Sequence, residues 1–248
     1  MASPGLMGLP LYREVKEKLI QALAAGEWRP GAKLPVEGAL AARYGVGIST
    51  IRAAVSELEA AGILSRRQGK GTFVTEHAQH ARLYRFFNLV NADGTRETPL
   101  RKFVHLQRGS PTPEEAEFLE LSRYGRRTDV YRLRSTFSLR SRVAGVADAV
   151  VPAGLFPRMT KSGVCDGRLT LYALYQSNYN VNVTSVSADL SAERAPSEIA
   201  RLLRLAKGRP ALRIERKAYT YGDVPVELRI TWVNTADCKF HVDQGSTV

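Results

Sequence analysis

The side chains best suited to chemistry in this chain are guanidinium, ammonium and short hydroxyl groups, and their spacing suits recognition of anions rather than bond making. On one candidate helix Ser49, Thr50, Arg52, Ala53 and Ser56 fall opposite Ile51, Val55 and Leu58. Short side chains beside one long donor let a helix approach base-pair edges, and a guanidinium can donate to guanine O6 and N7 together. Arg52 is that donor; its alternative roles are a phosphate contact or a salt bridge to Glu57 or Glu59. Further on, Arg67-Gln68-Gly69-Lys70-Gly71 places two cations among glycines, which let the backbone come close to a phosphate or a groove wall. Lys33 and Arg43, single basic residues at element ends, are weaker candidates for such contacts.

Catalytic constellations do not emerge. There is no Ser/His/Asp order, no paired carboxylates, no glycine-rich phosphate loop and no metal-ligand spacing. His77, His80, His105 and His241 are scattered, and His77-x-x-His80 reads as a solvated pair in a linker. Cys165 and Cys238 are too few and too far apart for a disulfide framework or a zinc site. The expectation is a binding protein without cofactor or metal, and not an enzyme.

The elements that must position these residues follow from periodicity. Leu11, Val15, Leu19 and Leu23 recur four apart, predicting a helix over 11–25 that Gly26 stops. Pro35 and Glu37 mark the start of a second helix reaching Tyr44, and Gly45-Val46-Gly47 separates it from a third that ends before Gly62. Two short helices across a glycine turn predict a helix-turn-helix. Strands over 63–66 and 72–74, joined by the basic glycine tip, predict a hairpin wing.

Beyond residue 76 a polar stretch, punctuated by Asn91, Asp93, Gly94 and Pro99, reads as linker over 76–95, with the hinge at His77 to Leu89. Thr112-Pro113-Glu114-Glu115 has the spacing of a capping box, predicting a helix to Leu121. Over 130–139, Tyr131, Leu133, Phe137 and Leu139 alternate with Arg132, Arg134, Thr136 and Ser138, the period of a half-exposed strand that puts both arginines on one face. Further strands are predicted over 143–151, 181–190, 212–221 and 226–233, with helices over 171–177 and 197–206. Tyr221-Gly222-Asp223-Val224 reads as a hairpin turn, so the sheet is expected to be mainly antiparallel.

The chain has 248 residues and a net charge of +12, enough length for two modest domains and a charge that calls for a polyanionic partner. Residues 1–75 carry 10 Lys and Arg against 6 Asp and Glu, which leaves +8 for the remainder, so two basic regions could serve two different anions. No stretch approaches the roughly 18 apolar residues needed to span a bilayer, and residues 1–10 lack the pattern of a signal peptide. A soluble, cytoplasmic protein is expected.

Several motifs in order carry a resemblance: Gly26-x-x-x-Pro30-Gly31-x-x-Leu34-Pro35-x-Glu37, Leu40-Ala41-x-x-Tyr44-Gly45-Val46, Ser49-Thr50-Ile51-Arg52, Leu58-x-x-x-Gly62-Ile63 and Arg67-Gln68-Gly69-Lys70-Gly71-Thr72-Phe73-Val74. Together they resemble the winged helix-turn-helix of the GntR family. Val36, Gly38 and Gly47-Ile48 depart from that pattern, which there often has serine, arginine and serine-arginine. Two DNA-contacting arginines are thereby absent, and Ile48 is left to touch a thymine methyl. The second half is similar to the UTRA effector domain of the HutC subfamily, through Tyr131-x-Leu133-Arg134, Pro152, Phe156-Pro157, Leu171-Tyr172, Tyr179-Asn180-Val181, Gly208-x-Pro210-x-Leu212 and Pro225-Val226-Glu227.

The resemblance implies an α+β chain: a winged helix-turn-helix over 1–75, a linker over 76–95, and over 96–248 an antiparallel sheet with flanking helices, like chorismate lyase. It implies a homodimer on palindromic double-stranded operator DNA, without membrane contact, controlled by a small anionic effector. By position the effector residues would be Arg132, Arg134, Asp148, Thr170, Tyr172, Glu227 and Arg229. A second domain serving dimerisation alone, or a lyase built on it, are the alternatives.

Overall fold

The computed structural model describes residues 10–75, 88–124, 128–164 and 170–242. His77, His80, Cys165 and the expected hinge as far as residue 87 lie outside the described residues. The chain divides into two compact units, residues 1–76 with 220–224, and 77–219 with 225–248.

In the first unit, α1 (Leu11–Ala24), α2 (Glu37–Tyr44) and α3 (Ile48–Ala60) precede a hairpin of β1 (Leu64–Arg67) and β2 (Gly71–Val74). The i, i+4 row of α1 buries Val15, Leu19 and Leu23, which meet Leu34, Leu40, Ile51, Val55, Leu58, Leu64 and Val74. Each such side chain contributes about 1.5–3 kcal/mol on burial, far more than the helix propensity of these short segments. Leu11, on the same row, lies beyond this core and is exposed. Gly45 ends α2 in the left-handed region at φ 66°, and the Val46 N–H bonds the Ala41 carbonyl at 3.1 Å. β1 begins one residue later than the hydrophobic run suggests, with Leu64 opposite Val74 and Arg67 opposite Gly71.

The second unit is built on a six-stranded antiparallel sheet. Its elements in chain order are β3 (Leu89–Asn91), β4 (Leu100–Gly109), α4 (Pro113–Phe118), β5 (Val130–Leu139), β6 (Arg142–Pro152), α5 (Lys161–Val164), α6 (Leu171–Tyr179), β7 (Ser185–Glu193), α7 (Ser197–Leu202), β8 (Ala211–Thr220), β9 (Val224–Val233) and β10 (Cys238–Phe240). The strand order is β4-β5-β6-β9-β8-β7, and β3 pairs separately with β10. One sheet face packs on α6 through Tyr131, Leu133, Val151, Phe156, Leu174 and Tyr175. The other meets α7 through Val146, Ile199, Leu203 and Trp232.

Several expectations change. Residues 89–91, assigned to the linker, form β3, because Leu89 and Val90 are buried against the sheet unit. β4 was not expected: a bulge between Phe103 and His105 shifts its register, putting Phe103 opposite Ser135 and Leu106 opposite Leu133 and breaking the period-2 pattern. The strand predicted from Val181 starts at Ser185, since Val181, Asn182 and Val183 are buried in a loop where Asn182 accepts from the Gln176 amide at 2.9 Å. α4 and α7 stop at Phe118 and Leu202, short of Leu121 and Ala206. The capping box is present: the Thr112 hydroxyl accepts from the Glu115 N–H at 3.2 Å and the Glu115 carboxylate from the Thr112 N–H at 2.8 Å. No described helix is long and apolar enough to cross a membrane.

Candidate nucleic-acid interface and a buried charge cluster

α3 turns Ile51, Ala54, Val55 and Leu58 into the core and leaves Ile48, Ser49, Arg52, Ala53 and Ser56 exposed along one row. Thr50 sits half-buried at the edge of that row, its N–H bonded to the Gly47 carbonyl at 3.0 Å. Gly47 caps the helix in extended conformation, without a side chain to occupy the first turn. The surface is therefore low, with one long donor. Arg52 is 61% exposed at its side chain, and its acidic partner is Glu37, not Glu57 or Glu59. Glu57 instead takes Lys16 at 2.7 Å, and Glu59 accepts the Arg66 N–H at 3.0 Å.

The other basic candidates differ in how far their charge is committed. Arg43 is clasped by Glu27 (Nη2 to Oε2, 2.8 Å) and lies 5.3 Å from the ring centres of both Trp28 and Tyr44. Hydrogen bonding to Arg43 holds the Glu27 carboxyl below its ordinary pKa. Arg43 thus ties the end of α2 to the turn after α1. Arg67 stacks over Phe73 at 4.4 Å, which steers its guanidinium along the wing. Lys33 pairs with Phe73 as a bridge beside the hairpin, and its stem crosses Gly71, where a Cβ would lie 2.7 Å from Lys33 Cε. Gln68, Gly69 and Lys70 are exposed at the tip, with Gly69 at φ 69° and Gly71 at φ 111°. A groove of about 580 Å³ runs between this tip and the start of α2, lined by Lys33, Pro35, Glu37, Arg66 and Lys70 among others.

In the second unit the residues assigned to one effector pocket divide between the two faces of the sheet. Arg134 stands opposite Asp148 and Arg132 opposite Val150, on the face that carries Leu228 and Ile230. Arg134 forms a two-pronged pair with Asp148 (2.7 and 3.0 Å) and also reaches Glu198 on α7 at 2.8 Å. Arg132 bonds Glu115 of α4 (Nε to Oε1, 3.2 Å) and the Ser110 carbonyl at 3.0 Å. These arginines are neutralised and fasten helices to the sheet, along a groove of about 600 Å³ that His105 and Gln107 also line. Thr170 is the N-cap of α6, its hydroxyl taken by the Ala173 N–H at 3.2 Å. Strand parity correctly pairs Arg132 with Arg134, but they lie on the face away from Tyr172, Glu227 and Arg229.

That opposite face holds a charge cluster beneath α6. Glu227 is fully buried and accepts from the Tyr172 hydroxyl (3.1 Å), the Tyr175 hydroxyl (2.7 Å) and Arg229 Nη2 (2.5 Å). Arg229 is 8% exposed and lies 5.0 Å from the Tyr172 ring centre. Two further arginines join, Arg101 from β4 and Arg216 from β8. Burial and the neighbouring Arg229 push Arg101 down to about 10; burial lowers Arg216 as well. Burial and Glu227 push Tyr172 up to about 12, and Tyr175 also rises, so both phenols stay protonated. Arg101 Nη1, Arg216 Nε and Arg229 Nε are buried without a hydrogen-bond partner among the described residues. Such groups cost about 1–3 kcal/mol each when left unsatisfied.

Between these arginines the sheet carries small side chains, with Ser135 opposite Ala147 and Ala147 opposite Thr231. Sequence reasoning did not single out Arg101 or Arg216. For Arg216 a signal existed: Ile214, Arg216 and Ala218 share one parity on β8, and both apolar members are buried. For Arg101 the bulge in β4 removed it. Among the described residues no group of three or more His, Cys, Asp or Glu is placed to hold a metal ion.

Residues 11–74 match the family described as bacterial regulatory proteins, gntR family, and residues 96–238 match the UTRA domain. The histidine utilization repressor of Pseudomonas putida is 31% identical over 218 residues, which cover 88% of this chain and 85% of the relative. The HTH-type transcriptional repressor NagR of Bacillus subtilis is 24% identical over 220 residues, covering 88% of each. The crystal structure of the ligand-binding domain of a GntR-family transcriptional regulator from Bordetella bronchiseptica has a TM-score of 0.60 and 28% identity, over 65% of this chain and 99% of that one.

Proposed function

Because the chain belongs to the gntR family of bacterial regulatory proteins and carries a UTRA domain, it is a DNA-binding transcription regulator, and we propose that it acts in the cytoplasm as a homodimeric repressor whose hold on a palindromic operator is set by a small anionic metabolite. The observation that carries the DNA-reading half is the exposed row Ile48, Ser49, Arg52, Ala53 and Ser56 on α3, low enough to enter a major groove and flanked by the basic wing tip. Arg52 reads a base edge, Ile48 offers an apolar contact, and Lys70 and Arg67 hold phosphates. A two-fold dimer would match two half-sites about 10 base pairs apart, or a multiple of that.

In the effector half of this reading the metabolite binds at the buried cluster of the second unit. Glu227, Arg229 and Tyr172 stay in the binding set, joined by Arg101 and Arg216. Arg132, Arg134 and Asp148 leave it, because they stand on the opposite face of the sheet, where Glu115 and Glu198 complete their pairing. The outcome of binding is regulation and not turnover.

The test is capture of genomic fragments by the purified full chain at moderate salt, with the enriched site sequenced. One palindromic site is expected. Absence of sequence-selective enrichment would overturn the reading, whatever the behaviour of the second unit.

A further inference from the structure

Two side chains of the first unit sit where folding gives them nothing to do. Val36 is the N-cap of α2, where a hydroxyl or carboxylate ordinarily accepts from the first free N–H groups, and it makes no such bond. It adds nothing to the core either, being 68% exposed. Ile48 opens α3 and is 48% exposed, although a β-branched residue favours a helix little unless it is buried. Apart from Leu11 at the start of α1, these are the only large apolar side chains exposed among the described residues of this unit.

Their placement follows the Arg52–Glu37 ion pair. Glu37, which accepts from Arg52 Nε and Nη2, directly follows Val36, and Ile48 stands one helical turn before Arg52 on the exposed row of α3. One exposed apolar side chain thus accompanies each partner of the pair. Val36 also lines the groove that Arg66, Arg67 and Lys70 border. Gly38 keeps the surface beside it low: a Cβ there would meet nothing within 4 Å, so packing does not call for glycine in the first turn of α2.

From this arrangement we infer that Val36 and Ile48 read the C5-methyl groups of pyrimidines flanking the guanine that Arg52 bonds, so that the half-site is a guanine with thymines beside it. The inference rests on the reading of α3 as the element that enters the major groove, and adds the neighbours of its central base. In that groove the polar groups of the base pairs are donors and acceptors, and the one methyl belongs to thymine. Aliphatic side chains beside a guanidinium have no match there but that methyl. An apolar protein surface is the other occupant such side chains could take. The ion pair beside them and the three cations along the groove suit a polyanion better.

The experiment is a uracil scan of the operator recovered by genomic capture. Each thymine is replaced in turn by deoxyuridine, which removes the methyl and keeps O4, and binding of the full chain is titrated at fixed salt. At thymines beside the guanine whose preference Arg52→Ala abolishes, uracil is expected to lower affinity about three- to fourfold, the transfer value of one buried methyl. Ile48→Ala should bind thymine and uracil operators equally at one such position, and Val36→Ala at another. Val36→Ser, which supplies a capping hydroxyl, should be at least as stable as the parent and still lose the methyl response, which separates reading from folding. A flat scan, or a variant that keeps every uracil response, would overturn the inference while sequence-selective binding stands. If the scan is flat and the variants lower the oligomeric state, the two side chains belong to a protein contact instead. Absence of any selectively bound operator overturns the DNA reading as well.

Discussion

Glu37, the first residue of α2, accepts from both Nε and Nη2 of Arg52 on α3, at 3.2 and 2.9 Å. The same carboxylate lies 3.5 Å from Arg66 at the base of the wing. One acidic residue thus sets the direction of the only long donor on the reading row and touches the element that would grip the backbone beside it. A guanidinium that uses Nε and Nη2 on Glu37 has to present its other edge to a base, or exchange partners on binding. Either course makes the Glu37 carboxylate part of how Arg52 reads.

Arg52→Ala is expected to weaken operator binding by about 1–3 kcal/mol and to flatten the preference at one base pair. Glu37→Gln should leave folding stability within about 0.5 kcal/mol, because Arg52 is mostly exposed and water screens the pair, yet reduce discrimination at that same base pair. Competition binding with operators changed one base pair at a time reads both effects. Full discrimination in Glu37→Gln would show that Arg52 orients itself without its partner.

At the wing tip, Lys70→Ala should lower affinity for every DNA sequence alike and reduce the slope of log affinity against log salt by about 1. Arg67→Ala should do the same, with an added small loss of stability from its stacking on Phe73. Titrations at several salt concentrations on operator and random DNA decide this. A sequence-dependent loss would mean that the wing reads bases.

In the sheet, Gly145 lies under the Phe137 ring, where an added Cβ would come 2.0 Å from Phe137 Cζ. Gly145→Ala forces that packed ring aside and is expected to cost about 1–3 kcal/mol in denaturant unfolding. The double variant Gly145→Ala with Phe137→Leu should recover part of the loss. If the single change is neutral, the ring has room to move that its burial argues against.

Burial, with Asp237 beside it, pushes the Cys238 thiol up to about 11 from an ordinary 9.0. The folded state therefore prefers the protonated thiol. Its contribution to stability is complete below pH 9.0 and is lost as the pH rises through about 11, because the unfolded chain releases its proton first. In a Cys165→Ser background, Cys238 should resist alkylation at pH 8 until the protein unfolds. The fall in stability between pH 8.5 and 10.5 should be smaller in Cys238→Ala than in that background, as measured by chemical denaturation.

Much of the first unit was legible in the chain because its determinants are local. The four-residue spacing of Val15, Leu19 and Leu23, the stop at Gly45 and the glycine-rich wing tip act within a few residues of where they stand. Helix periodicity then chose the exposed row on α3 by opposition to Ile51, Val55 and Leu58. The capping box at Thr112 and Glu115 and the strand over 130–139 were legible for the same reason. What alternation along β5 could establish was that Arg132 and Arg134 point the same way. It could not establish which layer would cover them, because a strand has two equivalent faces and only burial by distant elements tells them apart.

α6 settled on the face of Tyr131, Leu133 and Ser135, sending the paired arginines to the other side and bringing Arg101 of β4 together with Arg216, Glu227 and Arg229, which lie more than a hundred residues further along the chain on β8 and β9. Spacing could set Arg216 among its buried neighbours on β8 and Glu227 beside Arg229 on β9, but it could not join them to Arg101. Spacing reports contacts that the backbone makes with itself nearby, whereas strand order, the bulge in β4 and the packing of one helix decided which charges would share a desolvated space.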